Sequence, residues 1–274
     1  MRKYTPEMFN SLKQMRREIV EHHSECHGTG FVETDGKPDF CVCTKVFSYI
    51  KELVYAELPR TYWTFKLAEL RVEDSYKKFI HLYFENLDNA LIQALGIIFL
   101  GPNGVGKTAM MCEIGKEAIV RGVVPYYITT QRYINLAMSM NQRTIENPIN
   151  NDAKIVLLDE VDKAYIKEGS DYVPKTFEDF LRATISSGKI VIAASNEDEA
   201  GLESLFGQST LSMVRRHLKI VPVAGEDFSD NRQDNWSKML KEKTDWFHPN
   251  IVEMAERRHD NLGWQGWEDI KDEG

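Results

Sequence analysis

The stretch "LGPNGVGKTA", Leu100 to Ala109, decides the fold of this chain. It follows the apolar run "GIIFL" and opens a segment of helical periodicity, which is the setting that a phosphate-binding loop requires. Glycines let such a loop curl until its N–H groups point at anionic oxygens, and the following helix adds its positive dipole end. A glycine-rich turn without a ligand is the alternative. The pattern G-x-x-x-x-G-K-T predicts a triphosphate site made by Gly101, Pro102, Asn103, Gly104, Val105, Gly106, Lys107 and Thr108.

A magnesium site is expected beside this loop. In loops of this type the lysine, here Lys107, reaches the β- and γ-phosphates, and the hydroxyl of Thr108 binds Mg²⁺. The run "IVLLDE", Ile155 to Glu160, predicts a buried strand that delivers Asp159 to the ligand-binding edge of an α/β sheet. We expect Asp159 to hold the hydrated Mg²⁺ and Glu160 to polarise an attacking water.

Polar and basic residues later in the chain complete the expected catalytic set. Asn196 ends the run "IVIAASN" and can orient a water against the γ-phosphate, although asparagine is also a common turn residue after a strand. Arg215 and Arg216 lie in "MVRRH". An arginine supplied across a subunit interface can accelerate hydrolysis by roughly 10³ to 10⁵, whereas most arginine pairs on helices are simply solvated.

Short apolar runs alternate with helical segments from about Ser75 onward. Strands separated by helical crossovers predict a parallel sheet with helices on both faces, so the expected fold class is α/β. The predicted strands are "GIIFL", "VPYYITT", "KIVLLDE", "KIVIAAS" and "KIVPV". The predicted helices are Ser75–Glu85, Lys107–Val120, "QRYINLAMSM", "TFEDFLRATIS" and "STLSMVRRH".

The N-terminal region predicts a small helical module. Thr5 is a helix cap with proline at the first helical position, and apolar residues then recur at helical spacing. The pair Asp35-Gly36 between short extended runs predicts a hairpin turn, and a second helix is expected from Thr44 to about Glu57. The stretch "LPRTYW" breaks the pattern and places a domain boundary near Pro59.

Three of the four cysteines lie within 18 positions, which favours a metal site over a disulfide framework. The spacings His-x2-Cys and Cys-x-Cys flank the predicted hairpin, and paired ligands on two turns suit tetrahedral Zn²⁺. His22 or His27 could replace His23, and thiols without a metal are the alternative. The fourth cysteine, Cys112, is expected to be a small core residue. The expected structural zinc ligands are His23, Cys26, Cys41 and Cys43.

Composition excludes several classes of protein. A net charge of −8 argues against coating duplex DNA over a broad surface, so any nucleic-acid contact is expected to be local. No run approaches the ~18 to 20 apolar residues that span a bilayer. The N-terminus lacks the apolar region of a secretory signal, so a cytoplasmic location without membrane contact is expected. Residues 229–274 form an acidic tail with four of the five tryptophans, expected to bind a protein partner or to pack on its own domain.

The series "GPNGVGKT", "LLDE", "AASN" and a late "RR" before "KIVPVAGEDF" resembles the AAA+ ATPases of the helicase-loader group. This group contains the DnaC- and DnaI-like loaders, their phage relatives and the transposition helper IstB. The similarity covers about Leu58 to Phe228, and "CHGTGF" resembles the zinc knuckles that precede several loaders' ATPase domains. Many loaders have Asp-Asp where this chain has Asp159-Glu160, and the segment before "KIVLLDE" is short for the family's DNA-binding insertion. The resemblance implies a partner-binding zinc module at 1–58, an AAA+ domain at 59–228 and the tail at 229–274.

By this resemblance the chain is expected to be a Mg²⁺-dependent ATPase that forms a homo-oligomer with ATP. It is expected to bind single-stranded DNA and a hexameric replicative DNA helicase, with hydrolysis as a release switch. The trans-acting role falls on Arg215 or Arg216, with a preference for Arg215. The phosphate, metal, water-activating and sensor roles fall on Lys107, Thr108, Asp159, Glu160 and Asn196.

Other functions remain open at this point. An IstB-like regulator of a transposase would use the same ATPase, and the zinc module favours the loader over it. A small-molecule P-loop kinase is disfavoured by "LLDE" and "AASN". A binding adaptor with a structural nucleotide is disfavoured by Glu160.

Overall fold

The computed structural model describes residues 5–138, 152–163, 172–225 and 245–263. In these residues the strands are β1 (Phe31–Thr34), β2 (Lys37–Phe40), β3 (Gly96–Leu100), β4 (Pro125–Thr129), β5 (Ile155–Asp159), β6 (Ile190–Ser195) and β7 (Leu218–Pro222). The helices are α1 (Pro6–Arg16), α2 (Val42–Tyr55), α3 (Asp74–Glu85), α4 (Leu87–Gln93), α5 (Lys107–Val120), α6 (Thr130–Met138), α7 (Tyr172–Ser186), α8 (Glu199–His217) and α9 (Pro249–Leu262).

The N-terminal module consists of α1, the β1–β2 hairpin and α2. The hydroxyl of Thr5 caps α1 by accepting the Met8 N–H at 3.2 Å. The hairpin turns at Asp35 and Gly36, both with positive φ, as the sequence predicts for a tight two-residue turn. The first residues of α2 follow directly on the second strand, which brings Cys41 and Cys43 close to the hairpin.

Strands β3 to β7 form one parallel sheet in the order β4-β5-β6-β3-β7. Strands β3, β5 and β6 are buried along their whole length because helices cover both faces. Neighbouring side chains enter opposite layers: Leu157 packs with α5 and the module, whereas Leu158 packs with α7 and α8. The structure thus confirms the predicted α/β class with a central parallel sheet.

Two helical segments differ from their predictions. Helix α4 is only seven residues long and was not predicted, because about two turns give too little periodicity. Helix α8 begins at Glu199, ten residues before the predicted start at Ser209. Its first half is separated from the second by a kink at Gly207, where φ is +82°.

The predicted boundary near Pro59 is not a break in packing. The apolar cluster that contains α5 continues into α2 through Leu53, Leu58 and Trp63. The end of α2 also docks on the edge strand of the sheet, where the Tyr127 N–H donates to the Ala56 carbonyl at 2.8 Å. The N-terminal module and the sheet therefore share one hydrophobic core.

Helix α9 packs against α2 and α5, so this part of the C-terminal region is not a free tail. The Trp246 side chain is buried, and its indole N–H donates to Glu18 at 2.9 Å. Of the two roles considered for the tail, the described part therefore has the second, packing on its own chain. Outside the described residues lie Trp236, Trp264, Trp267 and the short segment before β5 at 139–151.

None of the described helices is both long enough and apolar enough to cross a membrane. 

Replacing Arg258 should strongly destabilise the fold. This buried side chain on α9 donates to Ser48 and to Glu52 of α2, each at 3.2 Å. Arg258→Ala removes the guanidinium from beside the buried Glu52 carboxylate, which should lower the free energy of unfolding by about 3–5 kcal/mol in urea denaturation.

The neighbouring Arg257→Ala is the matched control. Its side chain is 44% exposed, and its partner Glu117 keeps a second arginine, Arg121, at 3.0 Å. We expect a loss of about 1 kcal/mol or less for this variant. Equal losses for the two variants would contradict the assigned role of Arg258 in fastening α9.

Candidate functional site

The loop after β3 has the backbone of a phosphate cradle. Gly101 has φ of +153°, and a Cβ built there would lie 2.0 Å from the Val223 carbonyl oxygen, so only glycine fits. Gly104 and Gly106 also have positive φ, 80° and 91°, which a curled anion-binding loop uses. Helix α5 begins directly after Gly106, so its free N–H groups adjoin the loop.

The ammonium group of Lys107 lies within the curve of this loop. Its Nζ donates to the carbonyls of Gly101 at 2.7 Å and Pro102 at 2.6 Å, and to the side-chain oxygen of Asn196 at 3.0 Å. Burial lowers the pKa of Lys107, and nearby carboxylates oppose that shift. The loop lysine and the asparagine predicted as a sensor are therefore in direct contact.

Asp159 ends β5 beside the loop, and both of its carboxylate oxygens are engaged. Its Oδ2 accepts the hydroxyls of Thr108 at 3.0 Å and Tyr127 at 2.8 Å, while Oδ1 accepts the Glu160 N–H at 2.9 Å. Burial raises the pKa of Asp159 despite these hydrogen bonds. A hydroxyl and a carboxylate side by side are the hard oxygen ligands that fit Mg²⁺, an ion that would neutralise charge on bound phosphates.

Glu160 also lines the cavity, and its side chain forms an ion pair with Lys163. Its backbone has φ of +55°, an uncommon value for a residue with a side chain. Its carboxylate pairs with the ammonium of Lys163 at 2.6 Å, and this hydrogen bond raises the pKa of Lys163. The residue predicted to activate water is thus at the cavity, and an ion pair fixes its side chain.

Asn196 is oriented by Asp162. The Asp162 carboxylate accepts the backbone N–H of Asn196 at 2.7 Å, its side-chain N–H at 2.8 Å and the Ser195 hydroxyl at 3.1 Å. Burial alone would raise the pKa of Asp162, but these hydrogen bonds bring it below its ordinary value. Because Asp162 holds the nitrogen of the amide, the amide oxygen is presented to Lys107.

A cavity of about 340 Å³ lies here, lined from this set by Lys107, Thr108, Asp159, Glu160, Lys163 and Asn196. That volume lies in the ~300–1,000 Å³ range of small-molecule sites. Helix α5 holds part of the wall: the Lys116 ammonium bonds the Phe65 carbonyl and pairs with the Glu113 carboxylate. Aromatic rings beside a phosphate cradle suit a nucleoside, and the segment after α2 supplies them along with polar groups. The wall residues from this segment are Thr61, Tyr62, Phe65, Glu69 and Leu70.

Arg215 and Arg216 are not among the residues that line this cavity. Both lie exposed in the last turn of α8, and Arg215 pairs with Glu199 at 2.8 Å. An arginine that acts on a neighbouring copy has to be exposed and away from its own site. The position of both residues fits the predicted trans-acting role and does not choose between them.

A second site lies in the N-terminal module, where the four predicted zinc ligands come together. The ligand atoms of His23, Cys26, Cys41 and Cys43 all lie within 4.8 Å of one another. The Cys26 and Cys43 sulfurs are 3.5 Å apart, and His23 Nδ1 is 3.3 Å from the Cys41 sulfur. Tetrahedral bonds of ~2.0 to 2.3 Å place neighbouring ligand atoms ~3.3 to 3.8 Å apart, so these two distances fit Zn²⁺. His23, and neither His22 nor His27, belongs to the group.

The chemistry of the cluster also fits a bound cation. All three thiols are buried. Burial alone would raise the pKa of Cys26, but hydrogen bonds from the Gly30 backbone and from His23 lower it to about 7. Burial raises the pKa of Cys41 and Cys43, and a metal ion bound to these sulfurs would favour their deprotonated form. A set of three buried sulfurs and one half-buried histidine nitrogen is typical of a structural zinc site.

A family model supports the reading of the first site. Residues 97–213 match the AAA family, "ATPase family associated with various cellular activities". This match covers 117 of the chain's 274 residues and supports an AAA-type ATPase domain in that part of the chain. The match begins in β3 and ends within α8, so it contains the loop, Asp159, Glu160 and Asn196. The N-terminal module lies outside it.

A curated relative points in the same direction. The chain is 28% identical over 138 residues to the ATP-binding protein of insertion sequence IS5376 from Geobacillus stearothermophilus. The match covers 48% of this chain and 54% of that protein, so the chain spans about half the length of this relative.

Solved structures share the fold. The DnaC helicase loader matches with a TM-score of 0.53 and 17% identity, over 61% of this chain and 100% of that one. DnaI matches with a TM-score of 0.50 and 17% identity, over 61% and 94%. Domain III of the Thermotoga maritima replication initiation protein DnaA matches with 0.50 and 21%, over 67% and 75%. At identities of 17% to 21%, these likenesses show that the chain shares this fold.

Several residues beside the candidate nucleotide site were not predicted from the sequence. Asp162 and Lys163 lie in "LLDEVDK", directly after the acidic pair, and this proximity was an available signal. Tyr127 is one of two adjacent tyrosines, and the sequence alone does not tell which one reaches Asp159. The cavity wall at 61–70 has no helical or strand periodicity that would mark it.

Purified protein is expected to contain about one equivalent of zinc by elemental analysis. Cys43→Ser removes a buried ligand and should lose most of the metal, because a hydroxyl is a much poorer zinc ligand than a thiolate. Cys112→Ser is the matched control, since Cys112 is also a buried free thiol but lies on α5 outside the cluster.

A second readout does not depend on zinc surviving purification. Cobalt added to the metal-free wild type and to Cys112→Ser should give thiolate charge-transfer absorption, and Cys43→Ser should give a weaker band. A wild type without bound metal and without that absorption would refute the site.

Proposed function

We propose that this protein is a cytoplasmic, ATP-dependent loader of a hexameric replicative DNA helicase, with hydrolysis as the release switch. The observation that carries the proposal is the histidine–cysteine cluster, with its three buried thiols, in a module packed onto the AAA domain. Zinc knuckles resembling this one precede the ATPase domains of several loaders. In this proposal residues 1–58 hold the partner, residues 59–228 bind and hydrolyse ATP, and part of residues 229–274 braces the other two.

The phosphate-loop site has the groups that ATP hydrolysis requires. Lys107 and the backbone of Gly101 to Thr108 bind the triphosphate, and Thr108 and Asp159 hold Mg²⁺. Glu160 takes a proton from the attacking water, which requires that it leave its ion pair with Lys163. Asn196 contacts Lys107 and responds to the γ-phosphate.

Assembly couples this chemistry to the partner. ATP bound between copies of the chain organises an oligomer around single-stranded DNA, and an exposed arginine of α8 completes the neighbouring site. Loss of the γ-phosphate removes the group that this arginine contacts, which loosens the assembly. Slow turnover is therefore expected of a switch of this kind.

A regulator of a transposase is the second candidate. The insertion-sequence relative favours it, because that protein matches this chain at 28% identity. The two candidates share the nucleotide site and differ in the partner. The family model does not include the N-terminal module, so the partner has to be identified by binding.

The direct test is co-purification with the cognate replicative helicase and, in parallel, with a transposase of the IstB-associated type. The Glu160→Gln variant should bind ATP and hydrolyse it at least roughly 10²-fold more slowly, since it lacks the general base. It should therefore keep the helicase bound in ATP, whereas the wild type should release it as ATP is consumed.

Glu203→Gln is the matched control, because Glu203 is an exposed carboxylate of α8 away from the cavity. It should behave as the wild type in turnover and in release. Capture of the transposase and not the helicase would support the second candidate. Unchanged turnover in Glu160→Gln would remove Glu160 from its role.

Arg215→Ala should abolish DNA-stimulated hydrolysis while leaving ATP binding intact, because the arginine acts on the neighbouring site. The expected loss is roughly 10³-fold or more. Arg216→Ala is the comparison, and the variant with the larger loss identifies the acting residue.

A mixing experiment tests whether the arginine acts in trans. In mixed oligomers, a subunit that lacks the arginine keeps Glu160 and can receive an arginine from a Glu160→Gln neighbour. Hydrolysis should therefore return when the two inactive variants are combined. If the mixture stays inactive, or if both single arginine variants hydrolyse normally, the assignment is wrong.

A further inference from the structure

The Tyr127 hydroxyl contacts the carboxylate that the proposed function assigns to magnesium. It donates to Asp159 Oδ2 at 2.8 Å, the same oxygen that accepts the Thr108 hydroxyl at 3.0 Å. The other oxygen, Oδ1, accepts the N–H of Glu160 at 2.9 Å. With donors on both oxygens, the Asp159 side chain is held in one orientation. None of the roles assigned above uses the phenol.

The adjacent tyrosine on β4, Tyr126, makes its hydrogen bond away from the nucleotide site. Side chains alternate along β4, so Tyr126 and Tyr127 pack in opposite layers of the fold. The Tyr126 hydroxyl donates to Glu57 at 2.8 Å, at the end of the N-terminal module. Of these two hydroxyls, only that of Tyr127 reaches the nucleotide site.

The strand that carries Tyr127 is itself fixed in position. Strand β4 lies at the edge of the sheet, and the Ala56 carbonyl accepts its Tyr127 N–H at 2.8 Å. The carboxylate of Glu57 also binds Arg132, which follows β4 on α6. Because the end of α2 fastens this edge, the phenol is held within hydrogen-bonding distance of Asp159.

From these contacts we propose that Tyr127 is a positioning residue for magnesium at Asp159. The inference rests on the proposed Mg²⁺-dependent hydrolysis and adds a group outside the direct ligands. The phenol fixes the rotamer of the carboxylate, so that Asp159 stays beside the Thr108 hydroxyl, where the two residues would hold hydrated Mg²⁺. Loss of an outer-shell partner of a metal ligand typically costs about 10- to 100-fold in metal affinity or activity.

The test compares Tyr127→Phe with Tyr126→Phe, two isosteric changes that each remove one hydroxyl from β4. ATP hydrolysis is measured against free Mg²⁺ concentration, and binding of a fluorescent ATP analogue is measured with Mg²⁺ and with EDTA. For Tyr127→Phe, half-saturation by Mg²⁺ should require about tenfold more of the ion, with unchanged nucleotide affinity in EDTA. Tyr126→Phe should stay within about twofold of the wild type in its Mg²⁺ requirement.

Two results would overturn the inference. One is a Tyr127→Phe variant with the Mg²⁺ dependence of the wild type. The other is an equal loss of nucleotide affinity in EDTA, which would show that the phenol supports the loop as a whole. A wild type that binds nucleotide with Mg²⁺ but does not hydrolyse it would refute the proposed function alone. The binding measurement would then still decide whether Tyr127 acts through the metal.

Discussion

The nucleotide site depends on the parallel pairing of β3 with β6. This register sets Leu100 beside Ser195, and the Gly101 N–H donates to the Ser195 carbonyl at 3.3 Å. The phosphate loop after one strand and Asn196 after the other are therefore neighbours at the same edge of the sheet. A slip in register would separate Asn196 from Lys107 and break a contact of 3.0 Å. The contact between Lys107 and Asn196 therefore depends on the order and register of the strands as well as on the two side chains.

Charge explains why nucleotide and metal are expected to bind together. The site holds the carboxylates of Asp159, Glu160 and Asp162 against the ammonium groups of Lys107 and Lys163. When all five groups are ionised, three negative and two positive charges leave a net charge of −1. Burial raises the pKa of Asp159 because its negative charge is poorly solvated there, and the phosphates of a nucleotide would bring further negative charge to the same place. A divalent cation changes the sign of the site and makes it complementary to a triphosphate.

The sequence predicts the parts of this structure that local pattern determines. Each central strand is a continuous apolar run, and the loop between β3 and α5 has glycines at the left-handed positions. The cysteine and histidine spacing likewise anticipates a cluster that the hairpin closes. Contacts between distant segments leave no such mark: Arg258 and Glu52 are 206 residues apart, and neither residue type predicts the other. The cavity wall and the packing of α9 could therefore be found only in the fold.

Helix α9 also links the two sites physically. At its start, the Asn250 side-chain N–H donates to the Thr64 carbonyl at 2.6 Å, within the segment that lines the nucleotide cavity. Just before it, the Phe247 ring lies 5.1 Å from the ring of His23 in the metal cluster. An outward movement of the cavity wall must either break the Asn250 contact or displace the start of α9, and with it the ring against His23. Residues 247–250 therefore contact both the cavity wall and the histidine–cysteine cluster. A change in the position of one is expected to affect the other.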